Sequence, residues 1–82
     1  MAWINKGDLF EASGVTFLAM ETSHSARIIM DEDADAFNAG YDMSVINEVV
    51  YAAPMKDGIT KQPYRVNLHS ARNVKVLEKA KN

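Results

Sequence analysis

Ser44-Val45-Ile46-Asn47-Glu48-Val49-Val50-Tyr51-Ala52 is the stretch on which the fold class turns. Read as a helix, it has a Ser44 cap and an apolar stripe of Ile46, Val49, Val50 and Ala53. Read as a strand, it has four β-branched residues (Val45, Ile46, Val49 and Val50), with Pro54 beyond to end it. β-Branched side chains fit a pleated surface better than a helix, so a strand is expected here.

Downstream, Lys56-Asp57-Gly58 is a hairpin signal, because Asp-Gly supplies the two positive-φ residues of a type I′ turn. Tyr64 to His69 then alternates, with Tyr64, Val66 and Leu68 toward a core and Arg65, Asn67 and His69 toward water. Ser70-Ala71-Arg72-Asn73 turns the chain, Val74–Lys79 forms a last strand, and Ala80-Lys81-Asn82 is a polar tail expected to fray.

Upstream lies Asp31-Glu32-Asp33-Ala34-Asp35-Ala36-Phe37-Asn38-Ala39-Gly40-Tyr41-Asp42, with five of the chain's eleven acids. Asp31 or Asp33 can cap a short helix over residues 33–39, and Gly40 can stop it. Before it, Ala26–Met30 is expected to pair back onto Val15–Thr22 across the Ser23-His24-Ser25 turn. Leu9–Ala12 is a further short strand, and Trp3 is expected in the core with Phe10 and Phe17.

Five to six short strands and one helical insert make a mainly β chain. The expected fold is a small antiparallel barrel or a strongly bent sheet, in a single domain spanning residues 1–82. The opening, Lys6-Gly7-Asp8-Leu9-Phe10-Glu11 followed by Gly14-Val15-Thr16-Phe17, resembles the start of an SH3-like small β-barrel. In that family a Gly-Asp turn leads into the first strand and a second glycine precedes the next. The resemblance implies a fold and carries no functional residue across.

Composition narrows the function classes. With 82 residues and no cysteine, the chain has no disulfide framework, thiolate metal site or cysteine nucleophile. A small core without staples points to self-association, so a homo-oligomer is expected. No stretch has the form of a signal peptide, and none approaches the length of a membrane span. A cytoplasmic protein that makes no use of a membrane is the expectation.

Catalytic candidates are few: Ser23, His24, Ser25, His69 and Ser70. Sequence neighbours in a turn or strand do not set up a Ser–His pair with a third orienting group, so no enzyme and no catalytic residue is expected. Asp31, Asp33, Asp35 and Asp42 match positions 1, 3, 5 and 12 of a calcium loop, but Ala36 stands where glycine is required and Asp42 where glutamate is usual. The two histidines have no zinc-ligand spacing. Neither a cofactor nor a metal is expected.

Charge is the stronger signal. Residues 1–55 carry nine acids against two cations, a net −7, while residues 56–82 carry seven cations against two acids, a net +5. The plainer reading is that the halves interleave and the charges mix on one surface. The functional reading is a binding protein, with Asp31, Glu32, Asp33, Asp35 and Asp42 forming an acidic surface for another protein. Small acidic, cysteine-free proteins of phages and other mobile elements often act in this way, as stoichiometric inhibitors or regulators. One alternative is a nucleic-acid-binding barrel that uses Lys61, Arg65, His69, Arg72 and Lys75. Another is an oligomeric sponge that traps a small anionic ligand with the same cations.

Overall fold

A computed structural model of the chain describes residues 3–80. The elements are β1 (Leu9–Ala12), β2 (Val15–Ala19), β3 (His24–Ile28), a 3-10 turn (Asp31–Asp33), α1 (Ala34–Asn38), β4 (Val45–Lys56), β5 (Ile59–Thr60), β6 (Tyr64–Asn67) and β7 (Lys75–Glu78). The protein is mainly β with one short helix, and every strand pairing is antiparallel.

The deciding stretch is a strand, and it runs past the proline expected to end it. Pro54 lies inside β4, and its carbonyl accepts the Lys61 N–H at 2.7 Å. In an antiparallel strand a residue's nitrogen and carbonyl face the same edge. Pro54 therefore turns its donor-less nitrogen toward Lys61, where the reciprocal bond cannot form, and the β4–β5 ladder stops at Met55↔Thr60.

β4 is the central strand. One of its edges carries β2 (Thr16↔Met55 to Ala19↔Ala52) and then β3 (His24↔Val49 to Ile28↔Val45). Its other edge carries β5 and β6, with Val49↔Asn67 to Ala52↔Tyr64 in register. β1 pairs with β2, and β7 with β1. The expected hairpin between the second and third strands does not form, because both pair with β4. The chain bends between them at Met20 and Glu21, and then passes Ser23, a buried residue whose Oγ accepts the Trp3 and Ile4 amides at 3.0 Å each. Among the described residues β6 does not pair with β7, so the sheet bends around its core and its ladder does not close.

The core follows the period of two. Phe10 and Ala12, Phe17 and Ala19, Val50 and Ala52, and Val66 with Leu68 point inward, and Ile4 joins them from the N-terminal segment. Phe10 and Phe17 are directly opposite across β1–β2, stacked with centroids 5.3 Å apart. Such a pair contributes about 0.5–1.5 kcal/mol beyond its buried area. Trp3 is not in the core: it is 48% exposed and lies against the His69 ring at 4.9 Å. Its neighbour Ile4 takes the buried position instead.

The expected Asp57-Gly58 turn and the turn between β1 and β2 both use positive-φ residues. Ser13-Gly14 has φ of 52° and 78°, and Asp57-Gly58 has 55° and 77°. The start and end of the described chain are fastened together by Asp8, which is only 1% exposed. Its carboxylate accepts the Asn5 N–H at 2.9 Å and the Ala80 N–H at 2.7 Å. Gly7 has φ of 91°, and a Cβ there would lie 3.0 Å from that of Ala80, so the turn requires glycine twice over. Ala80 is therefore held and does not fray, while Lys81 and Asn82 lie outside the described residues.

Candidate functional site

The molecule measures 45 × 26 × 21 Å, and its elongation has a local cause. Beyond Glu48, whose carbonyl still accepts the Leu68 N–H, β4 keeps only β3 as a neighbour, so Ala26–Ile28 and Val45–Asn47 form a two-stranded ribbon. The 3-10 turn and α1 cap its end. No residue between Ser23 and Glu48 is buried, and α1 packs substantially on no strand. This segment is a projecting arm, and an isolated two-stranded ribbon is marginal in water.

The arm's composition is unlike that of a solvated loop. Residues 24–47 contain five acids and a single cation, Arg27. Asp31, Glu32, Asp35 and Asp42 are exposed and Asp33 is half-buried. Five large apolar side chains are exposed beside them: Ile29, Phe37, Tyr41, Val45 and Ile46, with Tyr41 at 68%. Paired residues share a sheet face, so Ile28 and Val45 mark one face of the ribbon and Arg27 and Ile46 the other. Each face thus presents a β-branched residue with no layer to cover it. Sequence reasoning found the acids and missed these apolar groups. The available signal was that Ile28 and Ile29, and again Val45 and Ile46, fill both faces of what can only be a thin ribbon.

Local geometry holds the capping segment in shape. Gly40, with φ of 99°, ends α1 as expected, and its amide donates to the Phe37 carbonyl at 3.0 Å. Neither Asp31 nor Asp33 caps a helix through its side chain, which corrects the expectation. The intervening 3-10 turn already engages those amides: Asp33 N–H donates to Met30 O and Ala34 N–H to Asp31 O. Asp42 Oδ1 accepts from Ser44 Oγ at 2.7 Å and from the Ser44 amide at 3.2 Å. The Ser44 hydroxyl, its amide and the more distant Arg27 hold the Asp42 carboxyl below its usual range despite slight desolvation. The acids do not assemble a calcium loop. Strands flank them, and no three carboxylates or histidines converge among the described residues.

The basic residues are dispersed. Lys61 lies in the β5–β6 connection, and Lys75 on β7 faces Glu11 across the ladder. His69 packs against Trp3. Arg65 lines a groove of about 390 Å³ between the β1–β2 turn and β6, and Arg72 comes closest to sharing it. Ala12, Val15, Phe17, Tyr64 and Val66 supply its apolar lining. Ser13, Arg65, Asn67 and Ser70 supply polar atoms. Arg72 is tied to its rim, since the Arg72 amide donates to Ser13 Oγ at 3.0 Å and the Ser13 amide to Arg72 O at 2.7 Å. Tyr64 has the inward register expected for it, edge-on to Phe17 at 5.8 Å, yet it is 50% exposed because the seam is open.

No helix among the described residues is long and apolar enough to cross a membrane. No protein-family model, curated protein or solved structure matches the chain.

Proposed function

We propose that this is a small non-enzymatic binding protein whose projecting arm engages another protein, as a stoichiometric inhibitor or regulator of the phage or mobile-element kind. The single observation that carries the reading is the coincidence, on one unburied segment, of five exposed apolar side chains with five carboxylates. Large apolar side chains left exposed together on one segment and flanked by charge mark an interaction surface. The carboxylates steer a basic partner and the apolar groups supply contact energy once water is expelled. The same chain bends a sheet around a small core after two tight turns, which supports placing it among SH3-like small barrels with one seam left open.

The test is a paired set of variants against captured binding proteins. Asp31→Ala, Asp33→Ala and Asp35→Ala combined, and separately Phe37→Ser with Ile46→Ser, should each abolish capture while far-ultraviolet circular dichroism stays unchanged. Capture that survives both sets overturns the proposal. Retention on single-stranded DNA that falls steeply with salt and is lost in Arg65→Glu overturns it in favour of the nucleic-acid reading.

A further inference from the structure

The arm and the groove are opposites in charge, the arm carrying five carboxylates and the groove Arg65. The groove is apolar inside, with Phe17 and Tyr64 as its aromatic lining, carries Arg65 in its wall, and has the Arg72 backbone tied to Ser13 at its rim. The arm offers Phe37 and Tyr41 beside Asp31, Glu32, Asp35 and Asp42, all exposed. Within one molecule the strand holds the two apart. Val45, where the arm joins β4, is four to seven residues along the strand from Val49–Ala52, which pair with Asn67 to Tyr64 at the groove. At about 3.3 Å per residue that is roughly 13–23 Å of strand, and the capping segment lies farther out still.

We propose that the groove between the β1–β2 turn and β6 receives the arm of a second copy of this chain. An aromatic side chain of the arm enters between the Ser13 turn and Tyr64, and its carboxylates lie against Arg65 and Arg72. The contact is heterologous, because one copy gives its arm and the other its groove. Repeating it leaves a free arm at one end and a free groove at the other, so association propagates unless the rotation closes a ring. The proposal shares the arm with the function proposed above, and self-capture would hide that arm from an external partner.

Sedimentation of the full chain at low and high salt tests this. The wild type should associate beyond a dimer at low salt and dissociate at molar salt, where exposed charges are screened within about 3 Å. An arm variant, Phe37→Ser with Tyr41→Ser, and a groove variant, Arg65→Glu with Arg72→Glu, should each be monomeric. Mixed in equal amounts they should form a one-to-one dimer and nothing larger, since the mixture holds one intact arm and one intact groove. A wild type that stays monomeric at millimolar concentration overturns the proposal. So does association that both variants retain, or a mixture that remains monomeric. The monomeric groove variant still presents its arm, so partner capture by it tests the proposed function separately.

Discussion

β4 is one continuous strand with two environments. Between Val49 and Ala53 every residue except Tyr51 is buried, with β2 or β3 on one edge and β6 along most of the other. Between Val45 and Asn47 none is buried and only β3 remains. The residue types scarcely differ, since Val45 and Ile46 are as apolar as Val49 and Val50. What differs is the number of neighbours the topology provides. Apolar residues given neighbours contribute stability, and the same residues without them are left available to bind. The body carries the fold and the arm carries the candidate surface.

Substitutions should separate the two regions by size of effect. Phe10→Ala removes a fully buried ring stacked on Phe17 and should cost about 3–5 kcal/mol. That is a large part of the total stability of a small domain, and the denaturant midpoint should collapse. An arm as tightly integrated as the body would show losses of similar size at Ile46 or Phe37.

Asp8→Asn should come next, at about 1–3 kcal/mol, because one of the two amides bonded to the buried carboxylate loses its acceptor. Burial pushes the Asp8 carboxyl up, but the Asn5 and Ala80 amides and the Lys79 ammonium outweigh it and hold it below its ordinary value of 3.8. A carboxyl lowered in the folded state stabilises the fold above its unfolded value. That contribution is lost as the pH falls through the lower folded value. Melting temperature followed from about pH 5 to about pH 2 should therefore fall in the wild type, and fall less in Asp8→Asn.

A third effect is kinetic and local. Amides of Ala26–Ile28 and Val45–Asn47 should exchange with solvent faster than those of Val50–Ala53, since the ribbon can open without unfolding the core. Equal protection along the whole of β4 would erase the distinction between arm and body. The smallest effect belongs to Phe37→Ala, which should leave stability within about 0.5 kcal/mol of the wild type.

Much of the local conformation was legible in the residues. Asp57-Gly58 and Gly14 placed the tight turns, Gly40 ended the helix, and the alternation of Tyr64, Val66 and Leu68 gave the inward face of β6. Each of these rests on the backbone preferences of two or three adjacent residues, which are present before any tertiary contact forms. The acids of the candidate site were equally visible, because charge is a property of composition. Their apolar neighbours were not recognised as exposed, since exposure depends on whether a second layer arrives.

The sequence by itself determined that this chain is mainly β, where it turns tightly, which residues of each short strand share a face, and that its acids cluster before β4. Only the tertiary structure decided that β4 continues through Pro54, that β2 and β3 share one of its edges, and that the seam between β6 and β7 stays unpaired. It also decided that Asp8 is buried while Trp3 is not. The physical reason is range. Turn type and alternation are set by neighbours in the chain, whereas the Asp8–Ala80 bond joins residues 72 apart and the Ser23 bonds to Trp3 and Ile4 span 20 and 19.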